Sequence, residues 1–529
     1  MNDHRRRKYG AAAVLAAAAL AVAGCSASAD EQPAEEVVYI QAIADDPMGL
    51  NAQLVSGATP SMFSAQIMDP LIRVDDAGEL TPGLAESWEL SDDGLELTLH
   101  LRQGVVWHDG EPFTAEDVKF NFDEIVELQT FGSRLASAID DTEIVDERTV
   151  VVHFGSVFGP VLETVAQQYM VPMHIYEGTD YVTNQANIEP IGTGPMMFDS
   201  YTSGEQVVLV KNPDYWDGTV QVDRAVYPIL ADPNSRAVAL FAGEIDRADI
   251  DAAQQDRVNE DDALHLMERG FFSQDVVVMF NGGAAPLDTV DVRAAVFAAI
   301  DRDAVTDVAL KGLGTTAQGF FPPGLEWAVN TDVNFDSDFP RDLDAIGAAL
   351  DDAGYPVGDD GTRFTLDGRF ISELSEVAAS AELIKSQLAE VGIELNLIGE
   401  SGSVFTEKVY TESDFDLAFL RSTVGADPST GIVRWYECNP DRRAAANPSQ
   451  ICDDQIQAAA EGALMTTDRE QRGAHLRDLQ ARANELMFYA PLTWYYGAYP
   501  TVNTTRWEGL LDPQPMTNLV PWTTMTLTG

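Results

Sequence analysis

The chain has 529 residues, enough for two or three domains with cores of their own, and it carries 86 acidic against 32 basic side chains for a formal charge of −54. Such a field repels phosphate backbones and anionic head groups, and with no Lys/Arg cluster in the body to offset it, nucleic-acid binding is excluded. The acidity reads as a solvated surface and says little about a ligand.

The N-terminus, MNDHRRRKYG followed by AAAVLAAAALAVAG, is a basic region and an apolar run too short to span a bilayer well, which predicts an export signal over residues 1–24. Its end, Val22-Ala23-Gly24-Cys25, resembles the lipobox of bacterial lipoproteins, in which cleavage precedes the cysteine and its thiol carries the lipid. The resemblance makes Cys25 the lipidation site; the alternative is an ordinary signal cut at an Ala-x-Ala site. In the tether, residues 25–36, the eleven residues after Cys25 are small and acidic, the composition of a disordered segment with a reach of roughly 36–40 Å. No second long apolar run follows, so the body is expected to be exported and held to the outer face of the cell membrane, or its periplasmic side, from one end.

From Val37 the pattern is mixed α/β. VVYIQAI (37–43) predicts a strand, TPSMFSAQIMDPL (59–71) has helical apolar spacing, and LELTLHLR (95–102) alternates as a strand with one buried face. WHDGEP is a turn, with Asp109-Gly110 of hairpin type, and Thr114 to Asp117 forms a capping box opening a helix through Leu128. Gly192 and Gly194 suit backbone angles that other residues avoid. QVVLVKN (206–212) reads as a strand, 291–310 as one Ala-rich helix, 341–355 as a helix stopped by Gly354, and 379–400 as a helix joined to a strand through Gly392. In ECNPDRRAAANPSQIC, Cys438 and Cys452 predict a disulfide closing a loop, against two free thiols. A helix over 468–487 and an aromatic strand over 488–496 complete the order.

Four blocks in order, GELTPGLAESWELSDDGLELTLHLRQGVVWHDGEPFTAEDVKFNFD (78–123), IGTGPMMFDSYTSGEQVVLVKNPDYWDG (191–218), NGGAAPLDTVDVRAAVFAAIDRDAV (281–305) and DAGYP (352–356), resemble the family 5 extracellular solute-binding proteins of bacterial ABC importers, the peptide, nickel and opine type. The resemblance implies an α/β type II periplasmic-binding-protein fold of the cluster C kind, two lobes around a cleft with an extra inserted subdomain. Lobe I would comprise 37–68, 190–272 and 496–529, the inserted subdomain 69–189, and lobe II 273–495. It also implies capture of a small peptide, delivery to the permease subunits of an importer, and a monomer without cofactor or catalysis.

In the peptide binders of this family an acidic residue after a strand of lobe II pairs with the peptide ammonium, and the residue here that fits is Asp427 in DFDLAFLRSTVGADPSTGI (414–432). Its plain alternative is a turn cap before Pro428. The aromatic residue common just before that acid is replaced by Val424. Arg421 is the candidate for the peptide carboxylate, or else one half of an ion pair. Trp494, Tyr495 and Tyr496 lie near the return to the hinge and cannot all face the cleft, and Met62 and Phe63 are at the expected cleft mouth or in the core. A nickel chelate, an opine or an oligosaccharide remain alternative solutes. The seven histidines are scattered, so no metal site is expected, and the absence of Gly-x-Ser-x-Gly, His-Glu-x-x-His and Walker A sequences leaves an exported hydrolase without a motif.

Overall fold

The computed structural model describes residues 36–55, 57–75, 78–129, 132–267, 274–425, 427–495, 500–512 and 520–528. The signal, most of the tether with Cys25, and Tyr496 lie outside the described residues.

The first sheet is organised by Val38–Ala42. This strand pairs in parallel with Arg224–Pro228 on one side and Arg247–Asp249 on the other. Gln206–Lys211 and Met196–Thr202 extend it by antiparallel pairing beyond the first, and Pro500–Asn503 with Leu264–Leu266 beyond the second, for seven strands in all. A central strand must bury its side chains, and Tyr39 does so with its ring edge-on to Trp522 and Trp507 at 5.3 and 6.0 Å. Helix Ala58–Ile67 covers the sheet through Phe63, whose ring meets Tyr227 at 4.9 Å.

The second sheet has six strands in the order Thr315–Thr316, Tyr489–Tyr495, Gln274–Phe280, Leu417–Thr423, Phe364–Ile371, Ile393–Glu400. Its central three read as near-continuous apolar runs because both faces are covered. Phe364–Ile371 and Ile393–Glu400 are parallel, joined by helix Ser375–Ala389 and a turn at Gly392 with φ +80°. Helices Asp454–Leu464 and Arg469–Leu486 pack against one another beside this sheet.

One expectation fails here. Residues 291–310 do not form one helix: Val290–Ala299 ends at an extended Ile300, and Asp301 starts a new turn by accepting from the Ala304 N–H at 2.9 Å. An aspartate that can cap its own following turn competes with helix continuation.

Inserted between the strands of the first sheet is a four-stranded antiparallel sheet, Ala85–Leu90, Glu96–Leu101, Thr149–Phe154, Ile139–Asp146. Leu97, Leu99, Val150 and Val152 point to its buried face, over which Trp107 packs. The capping box forms, with the Thr114 N–H donating to Asp117 at 2.9 Å, and the helix continues from Ala115–Phe120 through a π-type turn to Leu128. Gly192 and Gly194 are required for a different reason than their backbone angles, since neither has positive φ. A Cβ on Gly192 would lie 1.9 Å from the Ile67 carbonyl oxygen, and one on Gly194 2.6 Å from the Ile67 carbonyl carbon. These glycines let two backbones touch. Among the described residues, no helix is long and apolar enough to cross a membrane.

Candidate functional site

The site is built on the loop that leaves strand Leu417–Thr423. Gly425 turns the chain with φ +79°, and Gly431 returns it so closely that a Cβ there would lie 1.7 Å from the Val424 carbonyl oxygen. Between them Asp427 accepts from the Ser429 N–H at 2.8 Å through Oδ1, while its carbonyl accepts from the Gly431 N–H at 2.9 Å. The turn-capping reading of Asp427 is thus part of the structure.

The other carboxylate oxygen of Asp427 lies 3.2 Å from the Arg472 guanidinium, which also donates to Glu163 at 2.7 Å. Arg472 comes from helix Arg469–Leu486 and Glu163 from Val161–Val165 in the inserted subdomain, so three separate elements converge. Asp427 is 1 % exposed and Arg472 2 %. Burial pushes the Asp427 carboxyl up to about 6 against the pull of Arg472, with the Glu163 charge acting in the same direction as burial. Among the described residues, Asp427 Oδ2, Arg472 Nε and the nearby Trp327 Nε1 have no hydrogen-bond partner.

These residues line a cavity of about 400 Å³, within the range of small-molecule sites. Leu80, Leu90, Leu162 and Leu325 supply apolar wall, and Trp327 holds the guanidinium carbons of Arg469 and Arg472 at 5.0 and 5.2 Å from its ring. Four carboxylates, Glu79, Glu163, Glu326 and Asp427, face two guanidiniums. The arrangement presents a net acidic wall with an aromatic side, buried at Asp427 and Arg472 and open to solvent at Glu79 and Glu326, suited to a solute with a cationic end and an apolar body.

The remaining sequence candidates lie elsewhere. Arg421 donates to Glu376 at 3.3 Å, and the Tyr495 hydroxyl donates to the same oxygen at 3.2 Å, so these two meet on helix Ser375–Ala389 and do not line the Asp427 cavity. Trp494 is buried on the opposite face of its strand, in register with Asp275 and Thr315. Phe63 is core, and Met62 is half-buried with its sulfur 3.0 Å from Gln41 Nε2. The Cys438 and Cys452 sulfurs are bonded, with Cα atoms 4.8 Å apart. No group of three or more His, Cys, Asp or Glu among the described residues could hold a metal ion.

Sequence reasoning missed Arg472, Glu163 and Trp327. Arg472 carried a signal: with Leu476, Leu479 and Ala483 it falls on the buried stripe of its helix, where an unpaired charge would not be tolerated. Asp275 carried one too, as the only charged residue in QDVVVMF; it is fully buried, hydrogen-bonded by Ser422 at 2.6 Å and Tyr489 at 3.0 Å, and pushed up by burial to about 6.

Residues 79–442 match the family described as bacterial extracellular solute-binding proteins, family 5. The heme-binding protein A of Haemophilus influenzae is 28 % identical over an alignment covering 93 % of this chain and 95 % of that one. The dipeptide-binding protein of Escherichia coli is 26 % identical, covering 80 % and 83 %. Among solved structures, NikA of Brucella suis in complex with Fe(III)-EDTA superposes with a TM-score of 0.82 at 22 % identity, over 93 % of this chain and all of that one.

Proposed function

Because the chain belongs to the family 5 bacterial extracellular solute-binding proteins and has their two-lobed type II fold with an inserted subdomain, we propose that it captures a small peptide and delivers it to the permease of an ABC importer. The division into lobes at 37–68, 190–272 and 496–529 against 273–495, with 69–189 inserted, belongs to this reading, as do a lipid anchor at Cys25, an extracellular location and a monomeric state. The observation that carries the peptide assignment is the buried Asp427 carboxylate on the wall of the 400 Å³ cavity, whose Oδ2 is ion-paired with Arg472 at 3.2 Å but accepts no hydrogen bond among the described residues. A peptide ammonium would supply that bond, and Trp327 with the four leucines would take an apolar side chain.

The names of the relatives span peptide, heme and an iron chelate. The surplus of carboxylates favours a cationic end over an anionic chelate: a charge 4 Å from one of them interacts by about 4 kcal/mol at an effective dielectric of 20, and the sign selects. Closure follows when a solute contacts both sides of its site better than either alone, and the permease reads the closed form.

Native mass spectrometry of the protein as purified, followed by denaturation and sequencing of released small molecules, tests the proposal. The expected result is a set of short peptides whose occupancy falls at least tenfold in Asp427→Asn, about 1.4 kcal/mol. Release of a single non-peptide compound, or unchanged peptide occupancy in the variant, would overturn it.

A further inference from the structure

The connector between helices Asp454–Leu464 and Arg469–Leu486, residues 465–468, reaches from the second-sheet region to the inserted subdomain. It meets two turns there: Gly94, between strands Ala85–Leu90 and Glu96–Leu101, and Gly159, between strand Thr149–Phe154 and helix Val161–Val165. The Gly159 N–H donates to the Leu464 carbonyl at 2.6 Å. That carbonyl is one of the last four of its helix, which find no partner within the helix, so the inserted subdomain caps a helix of the neighbouring body. Among the described residues, Leu464 is also the one side chain of the second-sheet region packed against the apolar core of the inserted subdomain.

The fit depends on the missing side chains of the two turns. Gly159 is buried, and a Cβ on it would lie 2.2 Å from the Thr466 carbonyl oxygen and 2.8 Å from that of Ala463. Gly94 has φ +70°, and a Cβ there would lie 3.0 Å from Thr467 Cγ2. Backbone touches backbone at one turn, and a threonine methyl rests on the other. Beside them Arg469 reaches Glu79 at 3.9 Å, but both are exposed and the pair adds little. The seat is small: if the connector withdrew, water would take up the Leu464 carbonyl and the Gly159 N–H, and the apolar surface uncovered would be that of one half-buried leucine. Contacts of this size between two bodies come apart without unfolding either. Gly159 and Thr467 also line the Asp427 cavity, so the connector docks where that cavity passes from one body to the other.

We propose that the 465–468 connector is a latch, seated on Gly159 and Gly94, which holds the inserted subdomain against the second-sheet region and sets how often the Asp427 cavity is shut, with or without a solute inside it. The latch deepens the two-lobed reading and rests on it. A solute then tips an equilibrium that the latch already biases, and it contributes only its own difference in affinity between the open and shut forms.

Hydrogen exchange of the full protein with no solute added, read by mass spectrometry in overlapping peptic peptides, tests the latch from both sides. Leu464→Ala removes its apolar part from the second-sheet region, and Gly159→Ala removes its backbone seat from the inserted subdomain. The amide of residue 159 should exchange at least tenfold faster in Leu464→Ala than in the native protein, while the amides of strand Thr149–Phe154 and helix Arg469–Leu486 keep their native rates. Small-angle X-ray scattering should give both variants a larger radius of gyration than the native protein, and the double variant one no larger than Gly159→Ala alone, because a contact already lost cannot be lost again. Native exchange at residue 159 in Leu464→Ala, or an unchanged radius in both variants, would overturn the proposal. So would faster exchange spreading through Thr149–Phe154 or Arg469–Leu486, which would make the contact part of the core of one body. None of these readouts depends on what the cavity holds, so the latch and the peptide assignment fail separately.

Discussion

His108 illustrates how a single side chain is set by its surroundings. The Gly192 N–H donates to its Nδ1 at 3.2 Å, so the proton resides on Nε2, which donates to the Gly194 carbonyl at 3.0 Å. Burial pushes its pKa down to about 4. An unfolded imidazole protonates near 6.5, so the unfolded state takes the proton first as pH falls. The stabilisation is complete above pH 6.5 and is lost towards pH 4, by roughly 3 kcal/mol. Urea unfolding of the native protein and of His108→Gln across that range should show the native advantage shrinking by this amount; a constant gap would refute it. From sequence, His108 was legible only as a turn residue, because its partners lie more than eighty positions away. The same limit applied to Asp427. Its turn was readable from Asp-Pro, but its ion pair with Arg472 joins two elements that only tertiary folding brings together. Val424 in place of the expected aromatic was noticed, and the ring at this cavity comes instead from Trp327, a hundred residues earlier, where no local pattern could point to it.

At the scale of elements, periodicity was a good guide wherever one face was buried. Glu96–Leu101 alternates as expected, and Gly354 and Gly392 stop their helices with positive φ. It misled at 291–310, where alanine spacing continued past Asp301 but the cap did not allow the helix to. The glycines at 192 and 194 were recognised as special for the wrong reason. Contact between backbones, not φ, fixes them, and this has a consequence for mutation: Gly192→Ala should cost about 3–5 kcal/mol, because its Cβ would meet the Ile67 carbonyl and neither backbone has room to withdraw. A loss of unfolding free energy, measured with urea, of less than a fifth of that amount would mean the contact is relieved by motion of helix Ala58–Ile67.

Across the whole molecule, the inserted subdomain and the second-sheet region are tied by Arg472 to Glu163, Arg134 to Glu437, and the Gly159 N–H to the Leu464 carbonyl at 2.6 Å. The net charge works against compactness, since 86 carboxylates crowd one another when the chain folds. Raising NaCl from 0.05 to 1 M should therefore increase the stability measured by urea unfolding, with the largest gain at the low end, where the screening length changes most. A decrease would mean that the buried ion pairs outweigh the surface repulsion. The order of strands in the first sheet also governs time. Val38–Ala42 is made early, yet Pro500–Asn503, which bridges Arg247–Asp249 to Leu264–Leu266, is made almost last. At translation speeds of 5–20 residues per second the early strands wait roughly 20–90 s for that partner. During that interval the sheet has an open edge, and the nascent chain remains threadable by any machinery that must pass it unfolded.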